Sequence, residues 1–245
     1  MRSPGIPNAY DDRDRAAAYA DLGFAGTYYL AFRDLPDLIA RHGTGRKALD
    51  FGCGAGRSTR FLKELGLDTI GIDVAEPMLR IARERDPGGT YMLVRDDAVT
   101  GWPDGPFDLV LAAYPFDNIA EVAHRRRLLD AIGRRLAPDG RLIVIASAPE
   151  LYTNEWLSFT TAYPENDAAR TGDVVRIAIT DGGDRRPILD VLWDDAAYRA
   201  DFAAAGLDVL EMHRPLGRPD EPYAWQTELH TSPWLLYVLR APSSG

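Results

Sequence analysis

Three glycines at alternate positions follow an acidic residue at the end of a short apolar run. The segment reads Asp50-Phe51-Gly52-Cys53-Gly54-Ala55-Gly56, and residues 57–62 after it have the pattern of the first turns of a helix. Glycine permits positive φ and leaves no Cβ between the backbone and a ligand. The spacing therefore predicts a strand, a tight turn and a helix N-terminus, the arrangement that binds nucleotides in doubly wound sheets.

The acidic residue at the start of this segment indicates the kind of ligand. A dinucleotide site prefers the spacing G-x-G-x-x-G, in which backbone amides meet a pyrophosphate. Here Asp50 stands two residues before Gly52, and its carboxylate would repel a phosphate and attract an ammonium group. The pattern favours a nucleoside that carries an amino acid over a dinucleotide.

A second acidic residue ends the next apolar run. Asp73 lies about 20 residues after the glycine turn, where a carboxylate can accept hydrogen bonds from both hydroxyls of a ribose. The two acids and the turn between them would therefore surround a nucleoside at one edge of a parallel sheet.

Five sequence blocks in this order resemble the class I S-adenosylmethionine-dependent methyltransferases that act on small molecules. Each block alone is common, but together they occur in family order and at the spacing of alternating strands and helices, over roughly residues 45–148. The blocks are Leu49-Asp50-Phe51-Gly52-Cys53-Gly54-Ala55-Gly56, Gly71-Ile72-Asp73-Val74-Ala75-Glu76-Pro77-Met78-Leu79, Arg95-Asp96-Asp97-Ala98, Phe107-Asp108-Leu109-Val110-Leu111 and Leu136-Ala137-Pro138-Asp139-Gly140-Arg141-Leu142.

The resemblance implies S-adenosylmethionine as the cofactor and a set of residues that bind it. Asp97 and Ala98 resemble the block that meets adenine, and Asp96 is the alternative to Asp97. Val74 and Met78 would flank the adenine, or Met78 would pack in the core as helical methionines often do. The complete predicted set is Asp50, Gly52, Cys53, Gly54, Gly56, Asp73, Val74, Met78, Asp97, Ala98, Ala113, Arg33 and Tyr19.

Two members of this set come from outside the core. Arg33 and Tyr19 lie in an N-terminal helical arm that folds over the cofactor in similar enzymes. A guanidinium is suited to bind the methionyl carboxylate through two hydrogen bonds; the alternative for Arg33 is an ion pair with Asp34 or Asp37. Because a sulfonium is already electrophilic, methyl transfer needs no thiol nucleophile, and Cys53 is expected to pack in the turn.

The segment after the fourth strand, residues 113–118, should lie beside the reacting methyl group. Asp117 is a candidate base for the acceptor, or it caps the following helix. Among the histidines, His230 is the best candidate base, whereas His42 and His124 are expected to be solvent-exposed. Aromatic residues that would contact the substrate are Tyr114, Tyr152, Trp156 and Trp225, and no cluster has the spacing of metal ligands, so we expect no metal site.

The elements that must position these residues alternate as βαβ units. The predicted fold is α/β, a doubly wound seven-stranded Rossmann-like sheet whose last strand runs antiparallel, within a single domain of residues 1–245. Residues 10–45 form a helical arm, 45–148 the cofactor-binding core, 150–193 a substrate cover with an inserted β-hairpin, and 194–241 complete the sheet. Residues 138–140, Pro-Asp-Gly, are predicted to form a turn.

The composition of the chain argues against several classes of function. The chain has 245 residues, a net charge of −9 and one cysteine. An acidic surface disfavours nucleic acid, and a single cysteine suits a reducing compartment. The start of the chain lacks the apolar segment of a signal peptide, and no apolar run is as long as a membrane helix. We therefore expect a cytoplasmic monomer or homodimer whose partner is a small-molecule acceptor, with no nucleic acid and no membrane as partners.

The resemblance implies transfer of a methyl group to the oxygen or nitrogen of a small organic acceptor. The aromatic residues of the cover favour a partly apolar acceptor, such as a secondary metabolite. Two alternatives remain open at this point. One is an enzyme of the same fold that uses the cofactor for a cyclisation or isomerisation without methyl transfer, and the other is a cofactor-binding module without catalysis.

Overall fold

Strands and helices alternate from Lys47 onward in a computed structural model that describes residues 9–43, 45–95, 99 and 101–241. The helices are α1 Arg13–Ala20, α2 Thr27–Arg33, α3 Leu35–His42, α4 Arg57–Glu64, α5 Glu76–Arg85, α6 Val122–Gly133 and α7 Asp195–Ala204. The strands are β1 Lys47–Phe51, β2 Asp68–Asp73, β3 Thr90–Leu93, β4 Phe107–Ala113, β5 Leu136–Ser147, β6 Phe159–Thr160, β7 Val174–Ile179, β8 Ile188–Val191, β9 Asp208–His213 and β10 Trp234–Arg240.

Seven of these strands form one mixed sheet in the order β3-β2-β1-β4-β5-β10-β9. The pairs among β1 to β5 are parallel, and β10 is antiparallel to both β5 and β9. The prediction of a doubly wound sheet with an antiparallel last strand is confirmed. Chain order reverses between β1 and β4, and ligands of such sheets bind outside the carboxyl ends of the strands at that point.

Both faces of the sheet are covered, because side chains alternate between them along each strand. Val110 and Ala112 of β4 pack into a hydrophobic cluster with α6 and α7. Leu109 and Leu111 of the same strand pack into a second cluster with α2, α3 and the cover. Because both faces of the sheet are buried, most of β4 and β10 is apolar in sequence, as residues 109–113 and 234–239 show.

The cover contains the predicted hairpin. β7 and β8 pair antiparallel, and the two-residue strand β6 extends them to a three-stranded sheet. The arm consists of α1, α2 and α3, and Gly26, which has φ 63°, precedes α2. The division of the chain into arm, core, cover and C-terminal completion as domains stays a prediction.

The predicted turn at residues 138–140 is wrong, since these residues lie inside β5. The register between β4 and β5 shifts there: Phe107 pairs with Leu136, and Leu109 pairs with Arg141. The extra residues form an irregularity within the strand of the kind that a β-bulge produces. A Cβ atom at Gly140 would lie 2.5 Å from the carbonyl oxygen of Phe107, so glycine serves close packing between the strands.

Candidate active site

A cavity of about 600 Å³ opens at the carboxyl ends of β1, β2 and β4. One end is lined by the glycine turn, the end of β2 and the first turn of α5. The other end is lined by the loop after β4, by β8 of the cover and by the start of β10, while Tyr10, Tyr19 and Tyr28 of the arm also line the cavity. Core, arm and cover thus enclose the cavity together.

The glycine turn requires glycine at each of its three positions for a different reason. Gly52, Gly54 and Gly56 have φ of 73°, 52° and 76°. A Cβ atom would lie 2.7 Å from Pro115 Cβ at Gly52 and 2.7 Å from Tyr91 Oη at Gly56, whereas at Gly54 the nearest atom is Met78 Cε at 3.2 Å. Gly52 and Gly54 line the cavity, and Gly56 makes room for tight packing behind the turn.

Asp73 lies at the end of β2 and faces the cavity. Its Oδ2 accepts a hydrogen bond from the Gly54 amide and its Oδ1 accepts one from the Ala75 amide, both at 2.8 Å. Each carboxylate oxygen can accept more than one hydrogen bond, so further acceptor capacity remains at this edge. Val74 and Met78 line the same end, with Val74 exposed and Met78 buried.

Asp50 does not line the cavity in the described structure. The residue is completely buried, and its Oδ2 accepts hydrogen bonds from the hydroxyls of Ser58 and Thr59 at 2.7 and 2.6 Å. Oδ1 has no hydrogen-bond partner among the described residues. Burial raises the pKa of Asp50 to about 6. The carboxyl group ties β1 to the first turn of α4, and its predicted contact with an ammonium group stays a prediction.

Five further members of the predicted cofactor set differ in their location. Tyr19 and Ala113 line the cavity. Cys53 is buried beside the turn, where burial raises the pKa of its thiol, and it does not line the cavity. Asp97 and Ala98, together with the alternative Asp96, lie outside the described residues.

The predicted role of Arg33 in binding a carboxylate of the cofactor stays a prediction, because its guanidinium has other partners in this structure. Its guanidinium donates to Asp34 at 2.7 Å and to Glu221 at 2.6 Å, and it also donates to the Leu216 carbonyl. The residue does not line the cavity. These ion pairs connect α2 to the loop before β10, which corresponds to the alternative that the sequence left open.

The loop after β4 brings a strained residue and a carboxyl group to the cavity. Tyr114 has φ 69°, a left-handed conformation that is uncommon for any residue except glycine. Its hydroxyl is buried and has no hydrogen-bond partner among the described residues. Strained backbone of this kind clusters at ligand-binding sites, and Tyr114 lines the cavity as predicted for a substrate contact.

Asp117 follows in the same loop and is buried at the cavity wall. It accepts hydrogen bonds from the Ser147 hydroxyl at 2.7 Å and from the Tyr198 hydroxyl at 2.9 Å. Burial raises the pKa of Asp117 above its ordinary value, although these hydrogen bonds lower it. A carboxyl group with a raised pKa at a cavity wall has the properties that a general base near neutral pH needs.

A second carboxyl group, which the sequence analysis missed, joins Asp117 from the cover. Asp190 of β8 is buried, lines the cavity and accepts hydrogen bonds from Asn118 Nδ2 at 3.0 Å and Tyr152 Oη at 3.1 Å. Burial raises its pKa, and the negative charge of Asp117 raises it further. The available signal was an acidic residue in the apolar strand Ile188-Leu189-Asp190-Val191, because a buried acid in a strand needs a specific reason.

Four other residues that the sequence assigned to the site do not line the cavity. One histidine that was expected to be solvent-exposed does line it. His230 is exposed and does not line the cavity, and its role as a base stays a prediction. Tyr152 and Trp156 are buried behind the wall, and Trp225 donates to Glu221 at 3.1 Å in the loop before β10. His124 of α6, expected to be exposed, is buried and lines the cavity.

The described residues form neither a metal-binding cluster nor a membrane-spanning helix. In the ranges 9–43, 45–95, 99 and 101–241, no group of three or more His, Cys, Asp or Glu side chains could hold a metal ion. No helix formed by those residues is long and apolar enough to span a bilayer.

Comparison with known proteins gives a family and several relatives. Residues 49–144 match the model of a family described as a methyltransferase domain. The demethylmenaquinone methyltransferase of Thermus thermophilus is 36% identical over 109 residues, 42% of this chain and 48% of that protein. The nocamycin O-methyltransferase of Saccharothrix syringae is 33% identical over 153 residues, 58% of this chain and 52% of that protein. The chain thus spans about half the length of these curated relatives.

Solved structures share the fold over a greater length. Streptomyces venezuelae DesVI superimposes with a TM-score of 0.64 and 22% identity, covering 94% of this chain and 99% of that one. The CcbJ methyltransferase of Streptomyces caelestis gives a TM-score of 0.62 and 18% identity, covering 86% of this chain and 95% of that one.

Proposed function

Since this chain belongs to the class I S-adenosylmethionine-dependent methyltransferases, we propose that it transfers a methyl group from S-adenosylmethionine to the oxygen or nitrogen of a small organic acceptor. The observation that carries the proposal is the single cavity wall that joins Gly52, Gly54 and Asp73 at one end to Asp117 and Asp190 at the other. A donor and an acceptor bound at the two ends would meet inside one enclosed space.

The residues at the first end fit the cofactor. The open side of Gly54 admits close approach of a ligand to the backbone, and Asp73 retains acceptor capacity for ribose hydroxyls. Met78 and Val74 offer apolar surface for a base. When bound, the cofactor supplies an electrophilic methyl group, so the protein's contribution is to hold the acceptor atom in line with it and to exclude water.

The second end fits a partly apolar acceptor. Aromatic rings of the arm, the loop after β4, the cover and β10 line it, namely Tyr28, Tyr114, Phe159 and Trp234. Asp117 would accept the proton of a hydroxyl acceptor, since its carboxyl group lies in the loop after β4 and lines the cavity. The similarity to a nocamycin O-methyltransferase supports an acceptor from secondary metabolism. The cytoplasmic location and the monomeric or homodimeric state belong to the same proposal.

Calorimetric titration with S-adenosylmethionine, followed by incubation with methyl-labelled cofactor and a library of small hydroxyl and amino compounds, tests this function. We expect the cofactor to bind and label to appear in an acceptor whose mass grows by one methylene unit. Cofactor that binds but returns with its sulfonium intact after an acceptor has been converted would favour the cyclase or isomerase alternative. Binding with no converted compound would favour a non-catalytic module, and no binding at all would refute the proposal.

The base is tested separately with an oxygen acceptor. Asp117→Asn should lower kcat by about 10²–10⁴ while the affinity for S-adenosylmethionine is retained, because the carboxylate acts on the acceptor proton and not on the cofactor. Asp139→Asn, an exposed position in β5, is the matched control. A kcat of Asp117→Asn equal to that of the wild type over a range about neutral, roughly pH 6–9, would show that positioning alone drives transfer to oxygen.

A further inference from the structure

We propose that the acceptor is a basic amine and that Asp190 is the residue that selects it. Asp190 and Asp117 form a pair of carboxyl groups, and this pair binds the ammonium group of the acceptor. The proposal rests on the proposed methyl transfer and names its substrate class. It is carried by the composition of the cavity wall at this end, where two carboxyl groups from different parts of the chain lie together and neither forms an ion pair with a basic side chain that the structure describes.

The hydrogen-bond donors to both carboxyl groups are neutral. Asp190 accepts from an amide and a phenol, those of Asn118 and Tyr152, and Asp117 accepts from a hydroxyl, a backbone amide and a phenol. Among the described residues, no Lys, Arg or His forms an ion pair with either carboxyl group. The guanidinium of Arg125, whose charge lowers the pKa of Asp117, is bonded to Asp201, while Arg95 and His124 also line the cavity. Buried charges are ordinarily paired or neutralised by a proton, so a bound organic cation can take the place of the proton that this pair holds.

A second observation at the same wall points to a bound ligand. The Tyr114 hydroxyl is buried without a hydrogen-bond partner among the described residues, in a loop whose backbone is strained at that residue. A buried polar group without a partner costs about 1–3 kcal/mol. Tyr114 packs against Trp234, with ring centroids 4.8 Å apart, and both line the cavity. Aromatic faces beside two carboxyl groups form an environment that suits an organic ammonium ion.

The origin of the two acids explains why Asp190 decides the acceptor. Asp117 comes from the core loop after β4, whereas Asp190 comes from β8 of the cover. Val175 of β7 pairs with Asp190 across the hairpin, and Val175 is fully buried. The hairpin therefore fixes the carboxyl group at the cavity wall from outside the cofactor-binding core.

The chemical step balances with these groups. The acceptor binds as an ammonium, and one of its protons passes to the Asp190 carboxylate, which leaves a lone pair on nitrogen. That lone pair forms the new N–C bond while the C–S bond breaks and its electron pair stays on sulfur. The product carries the methyl group on a protonated nitrogen, and the proton held by Asp190 returns to water.

Proton release on amine binding distinguishes this role from a structural one. Burial and mutual repulsion raise the pKa of both carboxyl groups, so the pair holds a proton in the free protein near neutral pH. A bound ammonium lowers the pKa and expels that proton. The other groups that act on the pair are neutral phenols and one paired guanidinium, namely Tyr10, Tyr152, Tyr198 and Arg125. His124 of α6 and Arg95 line the same cavity.

The test uses matched amines and alcohols of increasing size, beginning with 2-phenylethylamine and 2-phenylethanol, titrated by calorimetry into the full chain with S-adenosylhomocysteine present. We expect at least one amine to bind about tenfold or more tightly than its alcohol, with release of up to one proton measured in buffers of different ionisation enthalpy. Asp190→Asn should weaken the amine about 30-fold or more and abolish proton release. Asp181→Asn, the same exchange at an exposed position of the same hairpin, should do neither.

Each result decides the proposal. Amines that bind no better than alcohols, or wild-type protein that releases no proton, overturn it, and the wild-type measurement stands even where Asp190→Asn does not fold. Methylation of an alcohol of the panel and not of its amine overturns the amine assignment and leaves the proposed function intact. Amine binding with proton release but no methyl transfer from labelled cofactor supports the site and refutes the proposed function instead.

Discussion

At the scale of single residues, the cavity has two chemically different ends. Asp73 is held by two backbone amides at one end, and the Asp117 and Asp190 pair stands at the other. Burial raises the pKa of Asp73 while its backbone donors lower it, whereas at the other end burial and the charge of Asp117 both raise the pKa of Asp190. The first end offers a carboxyl group that backbone amides orient towards ligand hydroxyls, and the second is suited to exchange a proton.

Asp73→Asn should weaken binding of S-adenosylmethionine. An amide retains one acceptor oxygen but loses the charge, and a hydrogen bond to a charged acceptor contributes about 1.5–3 kcal/mol. We therefore expect an affinity about 10- to 150-fold lower by titration calorimetry. Asp68→Asn at the exposed start of β2 is the control. Unchanged affinity in Asp73→Asn would remove this residue from the ribose site.

Asp190→Asn should change how stability depends on pH. The pKa of Asp190 is raised in the folded protein, so above the ordinary Asp pKa of about 4 the folded state binds more protons than the unfolded state, and the free energy of unfolding falls as pH rises. The variant lacks this fall, so its stability relative to the wild type should increase between about pH 4 and pH 8. Urea unfolding at several pH values measures the difference, with Asp181→Asn as control. A pH-independent difference would contradict the raised pKa.

At the scale of elements, one guanidinium connects the arm to the glycine turn. Arg57 is the first residue of α4, and its guanidinium donates to the Gly23 carbonyl at 2.7 Å. It also lies over the rings of Tyr19 and Tyr28, at 5.5 and 4.7 Å from their centroids. Because Tyr19 and Tyr28 line the cavity, this contact links the position of the arm to the turn.

Arg57→Ala should loosen the arm. Loss of the cation–π contacts should lower the free energy of unfolding by about 1–2 kcal/mol. Hydrogen exchange should speed up in α1 and α2, because these helices lose their contact with α4, and should not change in α7. Arg80→Ala, at an exposed position of α5, serves as the control. Equal protection of α1 and α2 in both variants would show that apolar packing alone holds the arm.

At the scale of the whole molecule, three distant segments meet on one buried carboxylate. Glu228 is completely buried, and it accepts from the Thr27 hydroxyl at 2.7 Å, the Leu157 amide at 2.8 Å and the Gln226 amide at 2.9 Å. These donors belong to the arm, the cover and the loop before β10. The closure of the cavity is thus a property of the complete chain, and a net charge of −9 favours the approach of positively charged acceptors over anions.

Glu228→Ala should destabilise the whole chain by about 1–3 kcal/mol, because the buried Thr27 hydroxyl and two partly buried amides lose their acceptor at once. Glu228→Gln keeps one acceptor oxygen and should cost less. Glu84→Ala, at an exposed position of α5, should be close to neutral. Urea unfolding gives the three values; a Glu228→Ala loss no larger than that of Glu84→Ala would mean that water replaces the carboxylate.

The sequence by itself determined most of the cavity end that we propose binds the cofactor. The glycine turn, Asp73 and the order of the five parallel strands follow from short segments, because a positive φ, a missing Cβ and an apolar strand each depend on a few neighbouring residues. Asp97 and Ala98, which the sequence also assigned to the cofactor, lie outside the described residues. The hairpin of the cover was predictable for the same local reason.

Only the tertiary structure decided the surroundings of the residues predicted outside the core and the end of the cavity that we propose binds the acceptor. Arg33 and His230 have side chains suited to the roles predicted for them, yet ion pairs hold Arg33 at Glu221, and His230 lies on the surface. Asp190 and His124 reach the cavity because the cover folds back on the sheet and α6 begins beside the loop after β4. Residue type and spacing specify what a side chain could do, but burial and partners come from segments far apart in the chain, and those decide which side chains do it.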